Sequence, residues 1–319
     1  MRPILKWAIA SALSLGMVTT SAISDDYPIR TITWIAPFGA GGGADRWSRT
    51  LSSVAFDVMD QAVRVRNIPG ASATVGWGEM LKQPADGHTV MLSSPTPIIA
   101  LVTEPNAPFE PNEAKIVAFI SAFRGIILVK PDTEWSNWES FVAYAKANPG
   151  KLTLGSTFSE MVGAQLAFES EGIDVNLIPY DSTSDSVTEF LGGHVDAIGV
   201  TESTALNMVP EEAAALINVT TLPLSEEISE RLGNPPHAAA LGYETINYPR
   251  WVGVHPDTPD DIVEQLSGHV QAMLEQKSVQ RITGKMGEEI IFVPWQEAQP
   301  QYEALVAGIR KAAPAITGK

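Results

Sequence analysis

Between residues 38 and 49 the chain reads FGAGGGADRWSR, and most of its candidate chemistry lies in that stretch. Gly39-Ala40-Gly41-Gly42-Gly43-Ala44 formally matches G-x-G-x-x-A, the dinucleotide-binding fingerprint. Glycines let backbone N–H groups approach a ligand closely, and a helix N-terminus adds roughly half a positive charge. Together they make an anion cradle that needs no lysine. A tight strand-to-helix turn with no ligand is the other reading of the same residues. Against a dinucleotide, Pro37 breaks the strand just before the loop, and the second strand ends in Arg66-Asn67 where an acid is usual. An arginine there would still suit a 2′-phosphate. Asp45, in the first turn of the following helix, reads as a cap. Arg46 and Arg49 could clamp a carboxylate, but pairing at the surface or between helices is the simpler role for each. Arg30, beside the first strand, is also read as structural.

Other chemistries find little support. The five histidines (His88, His194, His237, His255 and His269) show neither H-x-x-H nor H-E-x-x-H spacing, so no metal site is expected. No G-x-S-x-G occurs, and no serine pairs convincingly with a histidine. The chain has no cysteine, which excludes disulfides, thiolate metal sites and a cysteine nucleophile. No cofactor and no catalytic residue is expected. Trp34, Trp47, Trp77 and Trp251 are core candidates, with Trp251 close enough to a proposed hinge to reach a cleft.

These residues need strands and helices to position them. TITWIA (31–36) reads as a strand leading into the glycine loop, followed by a helical pattern over 44–59. AVRVR (62–66) and HTVMLSS (88–94) read as the second and third strands, and 95–111 as a Pro-rich loop. Two β-like runs follow at 116–123 and 125–129, then a helix over 135–147 stopped by Asn148-Pro149-Gly150. LTLGS, VNLIPY and VDAIGV alternate with helices near 160–171 and 182–191, and a Glu-rich helix near 226–231 reads as a solvated face. WVGVHP (251–256) is another strand. TPDDIVEQL then opens a helix with Thr258 as N-cap and Pro259 at N1. IIFVP and a helix from about Gln296 close the chain.

This alternation argues for α/β layers with largely parallel sheets. It restarts after about residue 125, and the closing segment lacks a complete series of its own. One lobe built from residues 25–125 plus 250–319, with 126–249 inserted as a second lobe, accounts for both facts. Crossovers near 123–130 and 248–254 would form the hinge. The length, at about 100–200 residues per domain, also suggests two units.

The N-terminus has the form of an export signal, with Arg2 and Lys6, an apolar run WAIASALSLGMV (7–18), then Ala22 and Ser24 suiting a cleavage site. Removing residues 1–24 takes away two basic residues and no acid, so the formal charge of −16 becomes −18. A surface so acidic repels phosphate backbones and anionic lipid, which disfavours nucleic-acid binding. The composition, 45% hydrophobic and 18% charged, is that of a folded globular chain. The best later apolar run, 116–129, is interrupted by Arg124, so the mature protein is expected to be soluble and periplasmic.

YPIRTITWIAPFGAGGGADRWSR resembles the opening of the periplasmic solute-binding receptors of tripartite tricarboxylate transporters, the Bug family. The family pattern is Y-P-x-R-P-I-x, a hydrophobic strand, then P-F-x-x-G-G-x-x-D and an Arg. The resemblance continues through VRNIPGASATVGWGEMLKQPADGHTVML, NPGKLTLGS, IPYDSTSDSVTEFLGGHVDA and RWVGVHPDTPDDIVEQL, five motifs in order along nearly the whole chain. It implies a two-lobed, type II-like periplasmic-binding-protein fold that closes on a small organic carboxylate. It also implies delivery, as a monomer, to the membrane permease subunits of such a transporter. Carried over by position, the amides of Phe38, Gly39, Ala40, Gly41, Gly42 and Gly43 would hold one carboxylate. Asn67, Gly70, Ala71 and Ser72 would line the neighbouring loop, with Ser94 at the end of the third strand. From the second lobe, Ser156, Thr157 and Ser159, and then Asp181, Ser182 and Thr183, would face the cleft. The chain departs from the pattern where the family has S-x-G-x-G-S-x-x-H, reading STFSEMVGAQ with Phe158 and Glu160 intruding. It departs again where Asp181-Ser182 follows IPY, and where Thr31 replaces a proline. An added Asp181 or Glu160 would favour a ligand other than an ordinary dicarboxylate.

Overall fold

Strand β1 (Ile32–Ala36) lies inside the first of two sheets, parallel to β2 (Val63–Asn67) on one side and to β3 (Thr89–Ser93) on the other. The computed structural model describes residues 27–104 and 106–316, so the expected export segment, 1–24, lies outside the described residues. Beyond β3 come β10 (Tyr248–Val254), β4 (Lys115–Phe123) and β11 (Glu289–Pro294), each antiparallel to its neighbour. The second sheet runs β7 (Asn176–Pro179), β6 (Thr153–Ser156), β8 (Ala197–Thr201), β5 (Gly125–Val129), β9 (Ala214–Asn218). Here β6 is parallel to both β7 and β8, while β5 is antiparallel to β8 and β9.

The fold is the expected two-lobed α/β arrangement, but its sheets are mixed where largely parallel ones were expected. Topology gives the reason. Strand β4 carries the chain out of the first lobe and β10 carries it back, so the pair must run in opposite directions. A helical crossover would instead have made them parallel.

Side chains alternate faces along each strand, and each sheet is covered on both sides. Trp34 and Leu92 pack into one cluster of the first lobe, while Ile35, Met91 and Trp251 pack into another. In the second lobe Ile127 and Val129 face one cluster, and Ile126 and Leu128 the other. Every residue of β5 and β8 is buried, which is why these strands read as unbroken apolar runs.

Helices depart from expectation at several points. The single helix expected over 44–59 breaks at Ser53–Val54 into α1 (Gly43–Ser52) and α2 (Ala55–Met59). Residues 95–111, expected to be loop, contain α4 (Thr96–Thr103), the next helix after α3 (Thr74–Leu81). Most of α4 is buried, so TPIIALVT has no polar face to give it a helical period. Thr258 does not cap its helix; Pro259 occupies the N-cap of α10 (Asp260–Leu274), and the Thr258 hydroxyl is buried without a partner. Trp251 is fully buried edge-on to Tyr302, so it belongs to the core and not to the cleft. Helix α5 (Trp138–Ala147) starts three residues later than its pattern suggested, where Asn137 and Ser140 form a reciprocal capping box.

Arg124 alone separates β4 from β5, and it stands in a buried charge cluster. Its amide donates to Glu202 Oε2 at 2.8 Å, its guanidinium lies 3.6 Å from Glu202 Oε1, and its carbonyl accepts from the Glu202 amide. Arg250, on the returning strand, pairs with Glu288 and stacks on Phe123 with 4.4 Å from Cζ to the ring centre. Glu288 also accepts from the Trp47 indole N–H. Glu202 is fully buried; burial, together with repulsion from Glu288, pushes its carboxyl well above the usual range. An acid whose folded-state pKa is raised stabilises the fold below its unfolded pKa and loses that contribution as pH rises through the folded value. Glu202→Gln should therefore raise the thermal midpoint at pH 8 while leaving it little changed near pH 4, as calorimetry at the two pH values would show. An equal effect at both would contradict a raised Glu202.

Candidate functional site

The glycine loop is shaped by a side-chain clamp. Asn67, the last residue of β2, donates from Nδ2 to the Phe38 carbonyl at 3.1 Å and to Asp45 Oδ1 at 2.9 Å. Asp45 Oδ2 accepts the Gly41 N–H at 2.9 Å and Arg49 Nε at 3.0 Å, and Arg49 Nη2 reaches Asn67 Oδ1 at 3.0 Å. Burial raises the Asp45 carboxyl, but the bonds from Arg49, Gly41 and Asn67 outweigh it and hold the group below its usual range. Asp45 is therefore the tie of the loop, and Arg49 is its partner at the surface. Gly41 sits at φ +82°, where a Cβ is strained, so its glycine is required by conformation. Gly42 is the N-cap of α1 and makes no side-chain bond. The opening amides of α1, at Gly43 and Ala44, are left beside a cavity.

That cavity, of about 30 Å³, lies between the lobes. From the first lobe it is lined by Phe38, Gly42, Gly43 and Ala44, and by Ser94 and Thr96 at the start of α4. From the second come Thr157, Ser159 and Glu160 at the start of α6 (Phe158–Glu171), and Thr183 at the start of α7 (Thr183–Leu191). Phe123, Thr201 and Arg250 close it on the hinge side. The N-termini of α1, α6 and α7 thus converge on one point, three positive dipole ends around a buried space. Ser94 Oγ donates to Thr96 Oγ1, which lies 2.5 Å from Ser159 Oγ across the lobes. Glu160 is 2% exposed; Thr157 and Ser159 donate their hydroxyls to it, and burial pushes its carboxyl up.

Several residues expected to touch a ligand make contacts between the lobes. The Ser72 amide donates to Asp181 Oδ1 at 3.1 Å, and Ser184 Oγ donates to the Ala40 carbonyl at 2.9 Å. Gly39 abuts Ser182, whose hydroxyl lies 2.6 Å from where a Cβ on Gly39 would stand. Ser182 itself caps α7 by accepting the Asp185 amide at 3.2 Å. Ser156 Oγ is directed to the Gly199 carbonyl, 2.9 Å away within the second sheet. Of the expected set, Phe38, Gly42, Gly43, Ser94, Thr157, Ser159 and Thr183 line the inner cavity; Gly39, Ala40, Gly41, Asn67, Gly70, Ala71, Ser72, Ser156, Asp181 and Ser182 do not. The loop Gly70, Ala71, Ser72, Ala73 holds four successive positive φ angles, at +129°, +46°, +54° and +74°, and so turns its Ser72 amide to the opposite lobe. Ser72, Asp181 and Phe158 instead border an outer cavity of about 580 Å³.

Arg46 also joins the lobes, donating from Nη2 to Ser203 Oγ and Thr204 Oγ1, both at 3.0 Å. The sequence reading missed Arg250, which is 2% exposed and lies against the start of α1. Its position at the head of RWVGVHP, before an otherwise apolar strand, was the available signal.

The match to known proteins agrees with this architecture. Residues 48–316 match the family described as tripartite tricarboxylate transporter family receptor. Protein BugT of Bordetella pertussis is 27% identical over 267 residues, covering 80% of this chain and 80% of that protein. MatC of Rhodopseudomonas palustris, solved with bound malate, superposes with a TM-score of 0.79 at 19% identity, over 91% of this chain and 100% of that one. A second R. palustris protein, solved with adipate, gives a TM-score of 0.81 at 22% identity, over 92% and 99%. With a family match over most of its length, and with two lobes meeting around a helix-N-terminal cavity, the chain belongs to the tripartite tricarboxylate transporter receptor family.

Proposed function

We propose that the protein captures a small organic carboxylate between its lobes and presents it, as a monomer, to the membrane permease subunits of a tripartite tricarboxylate transporter. The observation that carries this reading is the convergence of three helix N-termini with the Arg250 guanidinium on one buried interlobe cavity. The relatives solved with malate and adipate support the ligand class. Residues 1–24 would direct export and be removed, placing the mature chain in the periplasm. No helix among the described residues is long and apolar enough to cross a membrane. The first lobe would comprise 25–125 plus 250–319, and the second 126–249.

The mechanism is closure. A carboxylate held by the opening amides of α1 gains further donors only when α6 and α7 swing onto it, so binding favours the closed form and the permease can read that shape. The cavity favours binding over turnover. Its lining contains no histidine, and the hydroxyls of Ser94, Thr96, Thr157 and Ser159 are engaged with one another and with Glu160.

Isothermal titration of the mature chain with mono- and dicarboxylates should detect binding, with a rise in thermal midpoint because the ligand binds only the folded chain. Scattering should show a smaller radius of gyration at saturation. If no carboxylate binds, the reading fails. A Cβ on Gly43 would stand 2.6 Å from Arg250 Nη2 and force the guanidinium aside, so Gly43→Ala should weaken binding about tenfold or more, ~1.4 kcal/mol. Asp181→Ala removes only the interlobe bond to Ser72, and should weaken binding roughly fivefold through faster release, for a loss of about 1 kcal/mol. Stopped-flow release rates would check it; an unchanged rate would show that this contact does not hold the lobes together.

A further inference from the structure

Two ionisable side chains of opposite sign, Arg250 and Glu160, line the inner cavity, and they are not equivalently placed. Arg250 is paired with Glu288, so its charge is balanced inside the protein. Glu160 has no such partner. The donors it meets are the hydroxyls of Thr157 and Ser159 and its own backbone amide, and among the described residues no cation forms an ion pair with it. Arg250, already paired with Glu288, is the positive charge that acts on it. A carboxylate that is 2% exposed and held otherwise by hydroxyls is costly, and an occupant that brought its own positive charge would offset that cost.

The surroundings point the same way. Outside the inner cavity, the outer cavity bordered by Ser72 and Phe158 is lined by Asp181, Asp185 and Glu189 and by no lysine or arginine. A second carboxylate on the ligand would therefore meet Glu160 inside and three acids outside, in a chain whose formal charge is −16. An ammonium group meets favourable charge at either place. The two intruding residues of STFSE also divide the space, with Glu160 lining the inner cavity and Phe158 bordering the outer one.

We infer that the site selects a zwitterionic ligand, a small amino acid whose carboxylate lies against the Gly43 and Ala44 amides beside Arg250 and whose ammonium lies against Glu160. This rests on the carboxylate-binding reading and narrows it. The inner cavity, about 30 Å³, suits a compact head group that carries both charged groups on one carbon, with the side chain directed past Phe158. The hydroxyls of Thr157 and Ser159 hold the Glu160 carboxylate in place for that contact.

The test is a set of matched pairs that differ by one amino group: L-aspartate with succinate, L-leucine with 4-methylpentanoate, and L-phenylalanine with 3-phenylpropionate. Titration calorimetry on the full mature chain should show at least one amino acid binding about tenfold or more tighter than its partner lacking the amine. Glu160→Gln keeps the shape and the acceptor for the two hydroxyls but removes the charge, and should erase that preference. Glu160→Gly, which restores the residue of the family pattern, should do the same and serves if the glutamine variant does not fold. Equal or tighter binding of the acids without the amine by the unmodified chain would overturn the inference and leave carboxylate capture standing. A preference for the amine that survives in both variants would also overturn it. If neither member of any pair binds, while other carboxylates do, the inference falls alone; if no carboxylate of any kind binds, the underlying reading falls with it.

Discussion

The buried pair of Arg250 and Glu288 holds the base of the cleft together. Arg250 sits on the strand that returns from the second lobe, and Glu288 stands just before the edge strand β11. Trp47 of α1 donates its indole N–H to the same carboxylate, and Phe123, at the end of the outgoing strand, lies under the guanidinium. One ion pair therefore fixes four elements from three parts of the sequence. Removing one member would leave an uncompensated buried charge, a loss on the order of 3–5 kcal/mol. The pair also constrains a local sequence: Arg250 Nη2 comes so close to the first residue of α1 that any side chain at position 43 would have to displace it.

On that base the site is assembled from backbone dipoles in a strongly acidic chain. Three helices begin at the cavity, and Asn67, Asp45 and Ser182 set two of those starts by local hydrogen bonds. Fixed amides need no reorganisation when an anion arrives, and they bring no net charge that would have to be balanced in its absence. The same acidic background gives meaning to the contacts between lobes. Asp181 spends its carboxylate on the Ser72 amide and Arg46 spends its guanidinium on Ser203 and Thr204. Both charged groups thereby connect the two lobes.

The sequence alone was enough for the elements whose physics is local. The strands at 31–36, 125–129 and 197–201 are apolar runs of strand length, and alternation with helices marks them as layers covered on both faces. The glycine loop announced a helix start, and Asp45, read as a cap, ties that loop through Gly41 and Asn67. The restart of the alternation after residue 125 suggested a second unit. Helix α4 was not legible, because a helix buried on nearly every side has no polar stripe to reveal its period. Nor was the break at Ser53–Val54 within an otherwise periodic stretch.

Only the tertiary structure decided which way the strands run and which residues meet. Strand direction in β4, β5 and β10 follows from a chain that crosses between lobes and returns, and no property of KIVAFISAF or YPRWVGV encodes it. Gly39, Ala40 and Asp181 lie in motifs that read as ligand loops, and the structure sets them against Ser182, Ser184 and Ser72 of the facing lobe. Arg250 and Glu160 lie 90 residues apart and neither carries a spacing signal toward the other. Their convergence on one cavity depends on the hinge, where Gly125 and Gly199 leave room for the Glu160 stem. The sequence by itself determined the kind of fold and the glycine-built turn into its first helix. The charge that faces a ligand is a property of packing, since burial and partners, which are set by distant segments, decide whether a carboxylate is spent within the protein or left for an occupant.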